Sequence, residues 1–114
     1  MTALPAQYLD ETAARTGEHF ELTVPPHISY EQLEELLAMR IQTLINEDFS
    51  HFIYLLYRTD VAEKKVKQIL AAANAAGEDP YRPIARLVIE RQLEKIISRA
   101  TYKQNDLPDD EEKW

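Results

Sequence analysis

A chain of 114 residues with only two glycines, Gly17 and Gly77, has few places for the tight φ > 0 turns on which hairpins depend. Long stretches carry apolar residues at helical spacing instead. The expected fold is therefore all-α: a compact bundle of about four main helices behind an extended N-terminal arm, with a disordered acidic C-terminal tail. The boundaries that follow are residues 1–28 for an irregular or extended arm, 29–104 for the bundle and 105–114 for the tail.

Within the arm, residues 5–15 could form a short helix, with Tyr8, Leu9 and Ala13 loosely on one side. Residues 19–26, HFELTVPP, alternate Phe20, Leu22 and Val24 against Glu21 and Thr23, and Pro25-Pro26 prevent a run into helix. This stretch reads as an extended strand without a partner strand. It either packs along its own bundle or pairs with the same segment of a second copy.

The first bundle helix has a clear start. Ser29 with Gln32 forms a capping-box pattern, and Ile28 with Leu33 is placed as a hydrophobic staple. Leu33, Leu36, Leu37, Ile41, Leu44 and Ile45 then make a broad apolar stripe. Asn46 or Asp48 is positioned to interrupt it, with Asp48 a cap for the next helix, although one bent helix to Arg58 fits the same pattern. Asp60 with Glu63 repeats the capping-box pattern for a third helix, which Gly77 or Asn74 can close. Asp79-Pro80 opens a fourth helix that reaches about Tyr102.

The second helix holds the most reactive-looking stretch, HFIYLLYRTD at residues 51–60. On a wheel of about 100° per residue, Phe49, Phe52, Ile53, Leu55, Leu56 and Tyr57 cover more than half of the circumference. Ser50, His51, Tyr54 and Arg58 remain as a polar arc. His51, Tyr54 and Arg58 share a face and could bind an anion or move protons, but no nucleophile or partner carboxylate accompanies them in the sequence. The simpler expectation is a core helix with one wet edge. Arg58 is then expected to bond the last carbonyls of its helix while Asp60 caps the following one.

The junction Leu56-Tyr57-Arg58-Thr59-Asp60-Val61 and the run from Ile84 to Ile96, which begins IARLVIERQLEK, resemble a group of small uncharacterised bacterial helical proteins. The shared pattern is an L-Y-R-x-D-V junction followed by an I-A-x-L-x-I-E-R-Q-L-x-K-I helix, and it covers roughly residues 30–100. The resemblance implies an all-helical fold and brings no known activity, cofactor or site residue with it.

Charge narrows the function. Net charge is −7, yet residues 29–104 hold 11 acids and 11 bases; the excess lies in residues 1–28, at −3, and residues 105–114, at −4. A neutral body with acidic ends is a poor match for phosphate backbones or anionic membranes. A basic face at Lys64, Lys65 and Lys67, with Arg82 and Arg86, keeps a nucleic-acid-associated regulator as the alternative. Glu90 and Glu94 lie i, i+4, but no histidine follows residue 51, so no ferritin-like metal set is expected. No phosphate-loop, serine-hydrolase or zinc-protease motif occurs, and cysteine is absent. The first residues lack the basic and apolar regions of a signal peptide, and no apolar run approaches the roughly 20 residues of a membrane span. The expectation is a cytoplasmic, cofactor-free, non-catalytic module that binds a protein partner or a second copy of itself, with an enzyme the least favoured reading.

Overall fold

The computed structural model describes residues 5–104. A single 3-10 turn, Ala6–Tyr8, leads into α1 (Leu9–His19), followed by α2 (Tyr30–Glu47), α3 (Phe49–Thr59), α4 (Glu63–Ala76) and α5 (Tyr81–Gln104). The all-α expectation holds, and no strand occurs among the described residues. The acidic tail at 105–114 lies outside them. The count of four main helices is corrected to five, because the short helix expected within residues 5–15 runs on as α1 to His19, into the stretch expected to be extended.

The apolar pattern shows only part of α1, within residues 5–15, because the helix packs with small and polar side chains. Its buried residues are Thr12, Ala13, Thr16 and Gly17. Small residues allow close approach of backbones, and α1 makes its most extensive contact with α5.

The remaining extended stretch follows from helix direction. The Tyr30 hydroxyl donates to the Pro5 carbonyl at 2.6 Å, so the start of α2 lies beside the start of the chain's helical front. Arg40 Nε donates to the Phe20 carbonyl at 3.1 Å, so the end of α1 lies beside the second half of α2. The two helices therefore point the same way, and the connection must travel back along α1. Eleven helical residues rise about 16 Å at 1.5 Å each, a distance that five extended residues cover at about 3.3 Å each. Residues 22–26 make that return, between Glu21 (φ 55°) and His27 (φ 58°), two non-glycine residues in the left-handed region.

The alternation in this stretch sorts burial as expected without making a strand. Phe20 is buried, Leu22 and Val24 pack against the core, and Glu21 and Thr23 are exposed. The segment covers its own α1, so its burial needs no partner strand from a second copy. Leu22 N–H donates to the Gly17 carbonyl at 2.8 Å.

The bundle helices begin and end where local chemistry places them. Gln32 N–H donates to Ser29 Oγ and Ser29 N–H to Gln32 Oε1, both at 3.0 Å, which completes the capping box. Asp48 breaks the long apolar run, so residues 30–58 form two helices; its Oδ1 accepts from His51 N–H at 3.1 Å. Gly77 closes α4 at φ 70°, and Asp79 Oδ1 accepts from Tyr81 N–H at 2.9 Å at the start of α5. The central layer is Leu33, Leu37 and Ile41 of α2, Phe52, Leu55 and Leu56 of α3, and Ile84, Val88 and Ile89 of α5.

Candidate functional site

Asp60 is the first correction at the expected site. α4 starts at Glu63 after Ala62, without a side-chain cap, so Asp60 is not its cap. It closes α3 in the left-handed conformation at φ 61°, a position that aspartate tolerates better than most residues. Its carboxylate is then free to reach α5: Arg91 Nη2 donates to Oδ2 at 2.7 Å, Arg91 Nε donates to the Asp60 carbonyl at 3.2 Å, and Lys95 Nζ stands at 3.8 Å. The Arg91 hydrogen bond, with Lys95 nearby, holds the Asp60 carboxyl below the usual aspartate range. Arg91 also pairs with Glu94 at 3.2 Å.

Arg58 is the second correction. It does not bond the last carbonyls of α3. Its guanidinium lies over the Tyr54 ring, 6.0 Å from the centroid, and its Nη1 stands 3.9 Å from Glu21 Oε2. Tyr54 in turn stacks on His51, with centroids 5.9 Å apart and planes inclined at 21°. The expected arc of His51, Tyr54 and Arg58 is thus one stacked surface along α3.

Glu21 supplies the carboxylate that the sequence does not reveal. His51 Nε2 is 2.8 Å from its Oε1, and Arg40 Nη2 is 3.4 Å from the same oxygen. Three cationic or ionisable side chains from α2 and α3 therefore surround one acid carried by the turn after α1. The hydrogen bond to His51, joined by the charges of Arg40 and Arg58, holds Glu21 below the usual glutamate range against a smaller opposing effect of burial. Beside this cluster, burial lowers the pKa of His19, helped by Arg15 and Arg58, and favours the neutral imidazole. Thirty residues separate Glu21 from His51, and only the return of the chain along α1 joins them.

No family model, curated protein or solved structure matches this chain.

The basic residues considered for nucleic acid are partly engaged elsewhere. Arg82 and Arg86 both bind Glu34 of α2, at 2.9 Å and 2.7 Å, and Lys67 pairs with Glu63 at 2.9 Å. Burial opposes ionisation of Glu34, but the two arginines outweigh it and keep its pKa below 4.5. Lys64 and Lys65 make no ion pair among the described residues. No group of three or more histidine, aspartate or glutamate side chains among those residues is arranged to hold a metal ion. Nor is any described helix long and apolar enough to cross a membrane.

The wet edge of α3 is broader than a polar arc of four residues. Phe49, Tyr54 and Tyr57 are 42%, 54% and 68% exposed. Phe49 and Tyr57 thus leave the buried face assigned to them by apolarity alone. Tyr57 falls about 20° from Ser50 on the wheel, and its hydroxyl reaches Glu63 at 3.2 Å. A wheel that groups residues by hydrophobicity places this tyrosine inside; its hydroxyl takes it to the surface.

Proposed function

We propose that this chain is a non-catalytic interaction module that docks a protein partner on the outer face of α3, the first candidate partner being a second copy of itself. The exposed aromatic stripe carries the reading: Phe49, Tyr54 and Tyr57 present ring surface to solvent on one short helix, flanked by Arg58. Tyrosine, phenylalanine and arginine are enriched at interfaces: the aromatic rings bury much area at little conformational cost, and the guanidinium adds planar stacking and several hydrogen-bond donors. The His51–Glu21 pair has the form of an oriented base, yet no hydroxyl among the described residues hydrogen-bonds His51 as a nucleophile would.

Sedimentation of the full chain at tens of micromolar, beside Tyr54→Ser/Tyr57→Ser, tests this. Association lost in the double variant, with the helical signal retained, supports the face and identifies the partner as a second copy. If the parent chain is monomeric, photo-crosslinking from position 57 in native extract should trap a discrete partner that a probe at position 98 does not. No association and no adduct would refute the reading.

A further inference from the structure

The Glu21 cluster has a feature that a purely structural ion pair does not need. A glutamate at φ 55° pays the steric penalty that a β-carbon incurs in the left-handed region, where glycine would turn freely. What the glutamate side chain adds is its carboxylate, set among Arg40, His51 and Arg58. Two guanidiniums face one acid, so the seat keeps net positive charge with that acid in place. The charged or titratable groups around it are Arg15, Glu18 and His19 from α1, Arg40 from α2, His51 and Arg58 from α3, and Lys95 from α5. Arg15 has no ion pair among the described residues. Glu21 itself is a half-exposed occupant, with its side chain 42% accessible, at the end of a turn. It is a carboxylate that another carboxylate can replace.

The same chain contains a segment of matching chemistry. Residues 105–114, NDLPDDEEKW, hold five acids against one base, together with Leu107 and the chain's single tryptophan, Trp114. Acidic side chains next to a leucine and a tryptophan complement a cationic seat that adjoins the exposed ring of Tyr54.

We propose that Arg40, His51 and Arg58 form a receptor for the acidic segment 105–114 of a second copy, and that Glu21 occupies this receptor until a carboxylate of that segment displaces it. The inference rests on the α3 face as a docking surface and specifies the partner's chemistry. Glu21 acts as a built-in competitor: association is weakened by the fraction of molecules in which the seat is closed.

Global charge and the proposed contact make opposite predictions, which gives the test its force. Replacing the tail's five acids by Asn or Gln in the full chain takes the net charge from −7 to −2. Reduced repulsion between copies alone would tighten self-association. Loss of the specific carboxylates must weaken it. Sedimentation equilibrium measures the association constant, and the emission of Trp114 reports independently, shifting to the blue as the protein is concentrated. Glu21→Gln, which removes the competitor, is expected to tighten association by about 1.5- to 5-fold, the range for one exposed ion-pair partner. The neutral-tail chain and Arg40→Gln/Arg58→Gln are expected to lose both association and the blue shift, with helical signal retained as the folding control.

An unchanged or weaker Glu21→Gln dimer overturns the proposal, as does a neutral-tail chain that associates as well as the parent. If Tyr54→Ser/Tyr57→Ser abolishes association while Glu21→Gln and the neutral tail leave it unmoved, the receptor falls and the α3 face survives. Insensitivity to all of these removes the α3 face as a self-docking surface as well.

Discussion

Replacing Gly17 by alanine should destabilise this protein, although the same change in an exposed helix interior usually stabilises it. Alanine is favoured over glycine within a helix by about 1 kcal/mol. At Gly17, however, a β-carbon would stand 2.7 Å from the Leu22 carbonyl oxygen and 2.9 Å from Val24 Cγ2. The first of these is backbone and cannot rotate away, so the return segment must lift from α1. Overpacking costs about 1–3 kcal/mol, and disruption of the Leu22 N–H to Gly17 carbonyl hydrogen bond, 2.8 Å in the parent, adds about 1 kcal/mol. The balance is a net loss of about 2 kcal/mol, which for a domain of this size lowers the thermal midpoint by on the order of 10 °C. Urea unfolding of Gly17→Ala, followed by far-ultraviolet circular dichroism, measures it. The double variant Gly17→Ala/Val24→Ala should recover none of the loss that comes from the Leu22 carbonyl. A Gly17→Ala protein as stable as the parent, or more so, would refute the cis packing of residues 22–26 on α1.

Three other perturbations probe separate parts of the molecule. Phe52→Ala empties a fully buried site and should cost about 3–5 kcal/mol in urea unfolding, with His51→Ala costing far less; equal losses would mean that α3 is rotated. At Asp60 the left-handed backbone sets the order of thermal midpoints, with Asp60→Asn highest, Asp60→Ala lower and Asp60→Val lowest; a Val variant equal to Asn would contradict that backbone conformation. Glu34 has a lowered folded pKa, so its contribution is present above its unfolded value of about 4.5 and is lost as pH falls through the folded value. Parent and Glu34→Gln chains should therefore differ in stability near neutral pH and converge in acid, and a difference that persists at pH 2 would show that the carboxylate charge is not responsible.

Most of the helical framework was legible because its signals are local. The Ser29–Gln32 box, the Asp48 break, the Gly77 stop and the Asp79-Pro80 start each involve residues within a few positions of one another. α1 was legible only in part, as a short helix within residues 5–15, because its buried face is Thr12, Ala13, Thr16 and Gly17, which leave little hydrophobic period to detect. Asp60 was misassigned because a carboxylate three residues before Glu63 satisfies a capping pattern on paper. In the fold, the nearer Arg91 and the need to end α3 in a left-handed turn decide its role.

The candidate site divides along the same line. His51, Tyr54 and Arg58 share a face because helical periodicity requires it, and that much follows from their spacing alone. Glu21 and Arg40 join them only in the tertiary structure, since the same-direction packing of α1 and α2 forces the chain to double back and delivers the end of α1 to the middle of the bundle. Local order is written in short-range backbone and side-chain preferences. Contacts across thirty residues depend on which way each helix runs, and here the packing of small residues and two left-handed turns set that direction.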